Sequence, residues 1–258
     1  MAVLESTLRA RRDAGRKLLV PYVTAMMDDE WLDLARAFAD AGADAIEIGI
    51  PFSDPIMDGV TIQETSLRAL QRGATPPRIL EGLAGADVGV PLVAMTYYNL
   101  AFHAGHERFA GDLAAAGVDG TILADLQLDE CAEWAAAAER AGIENVLLAA
   151  PTSSDDRLAR ICEATRGFVY AISLVGVTGE RRALAATATV ITARLKALTD
   201  KPVLAGIGIS TPEQAAEACA TADGVVMASA LLRQRLDGAT VGEVAGYLGE
   251  VRRMLDAG

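Results

Sequence analysis

The chain predicts an α/β fold: a single parallel (β/α)8 barrel, a TIM barrel, preceded by an extra N-terminal helix. Three observations predict it. Eight short runs of β-branched and apolar residues recur along the chain, most of them followed by a segment rich in Ala, Glu and Arg. That alternation requires a parallel sheet, because a helix must carry the chain back before the next strand can start. The length, 258 residues with 52% hydrophobic, suits one barrel. No linker or low-complexity tract divides it, so residues 1–258 read as one domain. An open doubly wound sheet is the competing arrangement. The even eightfold alternation, with no G-x-G-x-x-G after the first run, weighs against it.

In order, the segment from Leu4 to Ala14 lies outside the repeat and is expected to cover the bottom of the barrel. The strands follow as "LLVPYVT", "AIEIGI", "PLVAMTY", "GTILADL", "NVLLAA", "FVYAIS", "PVLAGI" and "GVVMAS". Helical segments such as "EWLDLARAFADAG" and "HERFAGDLAAAG" stand between them, and Gly42, Gly73, Gly117 and Gly142 sit where a left-handed C-terminal cap is expected.

The second strand carries a glutamate in its middle. Side chains alternate across a strand, so Ile46, Ile48 and Ile50 share one face and Ala45, Glu47 and Gly49 the other. Three isoleucines suit the outer, helix-covered face. Glu47 then points into the barrel near the strand's C-terminal end, where barrel enzymes keep their chemistry. A carboxyl there is partly desolvated, its pKa rises, and it becomes useful as an acid or base. The plain alternative is an inward ion pair. Asp54 and Asp58 follow in the same loop. "SDP" suits a turn held by Asp54. Asp58 is either a helix N-cap or a second carboxylate opposite Glu47, and spacing leaves both open.

After strand seven comes "GIGIST" and after strand eight "MASALL". Barrels often build a phosphate site from these two loops and a helix N-terminus. Gly206 and Gly208 let the backbone approach an anion, Ala228 and Ser229 offer amides, and Ser229 adds a hydroxyl. Ser210 or Thr211 also reads as a helix cap, with Pro212 in the first turn. The loop "LVGVTGERR", with Gly176 and Gly179 around Thr178, reads as a flap.

Net charge of −12 disfavours nucleic-acid partners. Cys131, Cys162 and Cys219 are scattered and read as small buried residues, neither disulfides nor zinc ligands. His103 and His106 lack matched carboxylates and read as surface residues, so no metal is expected. The charged N-terminus lacks a signal peptide's apolar centre, no run is long enough to span a bilayer, and a cytoplasmic location is expected.

Taken together, "VPYVT", "GADAIEIGIPFSDPIMDG", "TIQ", "MTYYN", "FVYAIS", "GVTGE" and "GIGIS" resemble, in order and over nearly the whole length, the tryptophan synthase α chain family. The resemblance implies retro-aldol cleavage of indole-3-glycerol phosphate to indole and glyceraldehyde 3-phosphate, with no metal or organic cofactor. It implies a pyridoxal-phosphate-dependent β subunit as partner. By resemblance, Glu47 moves protons at the glycerol hydroxyl and indole C3, and Asp58 accepts a hydrogen bond from the indole N–H. Tyr22 and Tyr97 match positions lining the indole pocket, and Tyr170 lies on the catalytic face. Thr178 matches the flap residue, while Gly179, Gly208, Ala228 and Ser229 match the phosphate cradle.

The chain departs from the family where "AMMDDEW" replaces Gly-Asp-Pro, where Val60 and Gln127 replace prolines, and where Ile207 and Ala228 replace phenylalanine and glycine. Those in loops that face the β subunit raise an alternative: a stand-alone lyase that releases free indole. A ligand-binding partner subunit without catalysis is a second alternative. The third is another phosphate-binding barrel enzyme. A Schiff-base aldolase needs a lysine at a strand's C-terminal end, where none of Lys17, Lys196 and Lys201 lies.

Overall fold

The computed structural model describes residues 3–172, 181–206 and 208–257; the side chains of residues 181–188 lie outside that description. The elements run α1 (Val3–Asp13), β1 (Leu18–Thr24), α2 (Trp31–Asp40), β2 (Ile46–Gly49), α3 (Val60–Gln71), α4 (Pro76–Leu83), β3 (Leu92–Thr96), α5 (Tyr98–Ala104), α6 (His106–Ala115) and β4 (Gly120–Leu123). A short 3-10 turn (Leu128–Glu130) leads into α7 (Ala132–Ala141), β5 (Glu144–Val146), β6 (Leu148–Ala149), α8 (Asp155–Ala164) and β7 (Val169–Ile172). The chain ends with α9 (Arg181–Leu198), β8 (Val203–Gly206), α10 (Pro212–Ala218), β9 (Gly224–Met227), α11 (Ser229–Leu236) and α12 (Val241–Asp256).

The strands pair in parallel in the order β5-β4-β3-β2-β1-β9-β8-β7-β6, which wraps the sheet into a barrel. One expectation is corrected here. The run "NVLLAA" is two strands, not one: β5 pairs with β4, β6 pairs with β7, and Leu147 joins them. The barrel closes through the covalent chain at Leu147 rather than through a continuous ladder.

Two apolar layers hold this wall. Ile46, Ile48 and Ile50 pack outward in one cluster with helix residues such as Leu34, Phe38 and Ile79. Leu18, Val20, Ala45, Val93, Ile122, Val146, Phe168, Leu204 and Val226 fill the interior. Leu4 and Leu8 of α1 join that interior cluster, so α1 does plug the bottom. Two glycines make room for the plug: a Cβ on Gly120 or Gly167 would stand 2.7 or 2.8 Å from Leu4 Cδ2. The backbone amides of Leu4 and Glu5 donate to the Glu144 carboxylate at 2.8 and 2.9 Å, which satisfies two of the helix's free N–H groups.

Gly42, Gly73, Gly117 and Gly142 all have positive φ, as their helix-ending places require. The three cysteines are free and buried. Lys17 and Lys201 bond backbone carbonyls and Lys196 pairs with Asp223, all before strand starts rather than at the mouth. None of the helices, among the described residues, is long and apolar enough to cross a membrane.

Candidate active site

Strand alternation does to β2 what the pattern requires. With the isoleucines outward, Glu47 points inward and is 1% exposed, in register with Tyr22 on β1 and Val93 on β3. Its Oε2 has no hydrogen-bond partner among the described residues, and no ion pair to it is found there, so the ion-pair alternative is not supported. Burial, and after it the negative Asp58, hold the proton on and push the Glu47 carboxyl up to about 8.

Asp58 lies in the loop between β2 and α3. It does not cap the helix: Gly59 is the N-cap and α3 has no side-chain cap. Instead its carboxylate faces the Tyr97 hydroxyl. Tyr97 accepts the Met57 N–H at 2.9 Å and hydrogen-bonds Asp58. Its ring stacks on Phe52 at 5.0 Å between centroids. Gln63 anchors the loop by donating to the Asp58 carbonyl at 2.8 Å. Burial raises Asp58 to about 6, and the Tyr97 hydrogen bond limits the rise. Asp54 stays exposed; its carboxylate accepts from Ser53 Oγ at 2.6 Å and its carbonyl from the Ile56 N–H at 2.9 Å.

Two further tyrosines complete the wall. Tyr22 feels the charges of Asp58 and Glu47, and Tyr170 those of Glu47 and Asp58; burial first and then these charges raise both phenols well above the ordinary value. Each occupies space left by a glycine. A Cβ on Gly49 would stand 1.7 Å from Tyr22 Oη, and one on Gly206 2.0 Å from Tyr170 Cε2. Gly206 thus has a second reason to be glycine, beside the anion approach expected of it. Behind Tyr22, Thr24 Oγ1 meets Thr65 Oγ1 of α3 at 2.7 Å, and Thr65 donates onward to the Ile62 carbonyl at 3.0 Å. The Tyr22 hydroxyl bonds Thr24. Thr24 and Thr65 went unnoticed in the sequence, whereas Gly49 was placed on Glu47's face without its Tyr22 neighbour.

Beside Tyr22, after the strand that pairs with β1, α11 begins at Ser229 with Ala228 as N-cap, and Ala228 and Leu232 pack with Tyr22. Leu231 and Leu232 donate to the Ala228 carbonyl, so the Ser229 and Ala230 amides open the helix. Ala228 has φ −125°, outside the left-handed region that favours glycine, the residue common there. Gly208 has φ +73° and open space where a Cβ would be. Thr211 caps α10 with a reciprocal Gln214 bond and Pro212 follows, as read from "STPEQ". Thr178, Gly179 and Ile207 lie outside the described residues, as does Gly176.

His106 is a correction. It is half-buried, its Nε2 within 2.9 Å of Tyr98 Oη and its ring stacked on Tyr98, because α6 packs it against α5; His103 is exposed as read. Val60 takes the first helical position of α3, where a proline's missing N–H would go unfelt, and Gln127 has φ −79°, close to proline's own. Both departures leave the loop backbone in a proline-compatible course. "AMMDDEW" differs more: Met26 has φ +60°, a left-handed position, and its carbonyl accepts from Arg72 Nε at 3.2 Å.

The site thus brings together Glu47, Asp58, Tyr22, Tyr97 and Tyr170, with the N-terminus of α11 beside Tyr22. Among known proteins, the tryptophan synthase alpha chain family model matches residues 8–244. The chain is 41% identical to the tryptophan synthase alpha chain of Geobacter sulfurreducens, covering 99% of each. It is 41% identical to that of Thermobifida fusca, covering 100% of this chain and 98% of the relative. A structure of Mycobacterium tuberculosis tryptophan synthase superposes with a TM-score of 0.91 at 36% identity over 100% of both chains. Tryptophan synthase subunit alpha from Legionella pneumophila superposes with a TM-score of 0.89 at 29% identity, over 100% of this chain and 99% of that one.

Proposed function

The chain belongs to the tryptophan synthase alpha chain family, and from that premise we propose that it cleaves indole-3-glycerol phosphate to indole and glyceraldehyde 3-phosphate at the mouth formed by Glu47, Asp58 and the three tyrosines. One arrangement carries the proposal: buried Glu47 and half-buried Asp58 are neighbouring carboxyls whose surroundings hold their pKa values apart, Glu47 raised to about 8 and Asp58 to about 6. At neutral pH the first is an acid and the second an anion, so one site offers both roles.

The steps follow from that difference. Glu47 gives its proton to indole C3, and the ring becomes an indoleninium whose positive charge spreads to N1. Asp58 accepts the N–H hydrogen bond and stabilises that charge. Glu47, now a carboxylate, takes the proton from the glycerol hydroxyl. The C3–C bond breaks, its electron pair restores the indole, and the hydroxyl carbon becomes the aldehyde. Protons balance, and Glu47 ends as it began. Tyr22 and Tyr170 wall the ring, with Thr178, Gly179 and Ile207 assigned there by resemblance. Gly179, Gly206, Gly208, Ala228 and Ser229 are assigned to the phosphate, with the Ser229 and Ala230 amides supplying the neutral donors an acidic protein can offer.

A pyridoxal-phosphate-dependent β subunit is the proposed partner. Ile56 and Val60, 80% and 77% exposed, and the exposed Phe102 stand on loops and helices beside the mouth, which supports an apolar partner there.

The pH dependence of kcat tests the assignment. Asp58 must be ionised and Glu47 protonated, so kcat rises as pH passes about 6 and falls as it passes about 8. A profile that keeps rising to pH 9.5 would remove Glu47 from the role of acid.

A further inference from the structure

A row of hydroxyls leads away from the two carboxyls into the barrel wall. Tyr22 of β1 stands level with Glu47 of β2. Its hydroxyl leans over Gly49, the next inward position towards the mouth, where a Cβ would be 1.7 Å from Oη. That hydroxyl bonds Thr24, the next inward residue of β1. Thr24 Oγ1 meets Thr65 Oγ1 of α3 at 2.7 Å, and Thr65 Oγ1 lies 3.0 Å from the Ile62 carbonyl. Thr24 and Thr65 are both 0% exposed, out of reach of solvent.

The number of protons fixes the direction of this row. A hydroxyl carries one proton, and a carbonyl oxygen can only accept. Thr65 gives its proton to Ile62, which leaves Thr65 an acceptor for Thr24. Thr24 gives its proton to Thr65, which leaves Thr24 an acceptor for Tyr22. The Tyr22 proton is therefore spent on Thr24, and Tyr22 turns only oxygen lone pairs towards the mouth.

We infer that the Thr24–Thr65 pair is a positioning device for the reaction: it draws the Tyr22 proton away from the mouth, so that Tyr22 offers Glu47 and Asp58 no O–H. The role rests on the lyase reading, whereas the order of the hydroxyls stands without it. An O–H donated to a carboxylate stabilises the anion and makes the carboxyl a stronger acid. Glu47 needs the opposite, because it must still hold its proton when indole C3 arrives. On Asp58, such a donor would compete with the indole N–H. Glu47 is also faced by Asp58 from the β2–α3 loop and by Tyr170 from β7. Tyr97, at the end of β3, is engaged with Asp58. Tyr22 feels both carboxylates, and it is the phenol whose proton the two threonines hold.

Thr65→Val tests this, because it removes the far acceptor at nearly constant volume. The buried Thr24 proton then has Tyr22 Oη to turn to, and the Tyr22 proton swings to the mouth. The Glu47 and Asp58 carboxyls are titrated by carbon-13 NMR of the full chain, assigned with Glu47→Gln and Asp58→Asn, beside the pH profile of kcat. Thr65→Val is expected to lower the midpoint of at least one of the two by about one pH unit, as a hydrogen bond to a charged group does. The matching limb of the kcat profile is expected to move with it. Thr65→Ser keeps the hydroxyl and is expected to titrate as the wild type. In a Tyr22→Phe background, Thr65→Val is expected to shift neither midpoint. Thr65→Ala repeats the removal without requiring valine to fit. Unmoved midpoints in folded Thr65→Val and Thr65→Ala overturn the inference, and so does a shift that persists in the Tyr22→Phe background. Midpoints that move as expected in a chain that cleaves no indole-3-glycerol phosphate support the hydroxyl order and overturn the lyase reading, with the role that rests on it.

Discussion

Glu47 is the residue on which the site depends, and its position was legible because a strand has only two faces. Three isoleucines claimed one face, and the glutamate took the other. What the sequence does not carry is which inward residues meet across strands. Tyr22 over Gly49, Tyr170 over Gly206 and the Thr24–Thr65 link depend on register between elements far apart in the chain. Burying Glu47 should cost stability, and the sign is definite. Its folded pKa is raised, to about 8, above that of the exposed group. Below pH 4 both folded and unfolded states hold the proton and no cost appears. As pH rises towards 8 only the unfolded state loses it, so stability falls through that window and the cost is complete above it. Glu47→Gln should therefore melt higher than the wild type at pH 8.5, with a gap that shrinks towards pH 5. Equal melting curves at both pH values would contradict the buried, protonated state.

At the scale of elements, seven strands and the cap of Gly-ended helices were readable from alternation and turn chemistry. The split of the fifth strand was not. The run "NVLLAA" is all apolar or amide-bearing, and the break is set by a change of pairing partner, which local pattern does not encode. Helix α1 was placed at the bottom correctly, but its anchor, Glu144, sits in a strand at a distance of 140 residues from Leu4. This element makes its own prediction. Leu4 is fully buried against the interior layer, so Leu4→Ala should cost about 2–5 kcal/mol in urea unfolding. Because the plug lies at the end opposite the mouth, kcat and KM for indole-3-glycerol phosphate should stay within about twofold, as for sites that do not share partners. A large kcat loss with stability intact would mean that α1 reaches the site.

The whole molecule presents an acidic body, with net charge −12, and an apolar fringe beside its mouth. The barrel and the family were legible in the sequence because many short motifs recur in order; the surface was not, since exposure of Ile56 and Val60 depends on how the loops lie. The proposed partner contact belongs to that surface. The chain is expected to co-elute with a β subunit from the same source, and Val60→Lys should weaken the complex about tenfold, the worth of about 1.4 kcal/mol at an apolar contact, without slowing cleavage by the isolated chain. A complex indifferent to Val60→Lys would place the contact elsewhere.

Indole release from indole-3-glycerol phosphate by the purified chain, with wild type and Glu47→Gln side by side, tests the central claim most directly. Steady release by the wild type, with a loss of about 100- to 10,000-fold in the variant, is the predicted result. Release by the variant at the wild-type rate, from protein shown to be folded, would contradict it and take the proton chemistry away from Glu47.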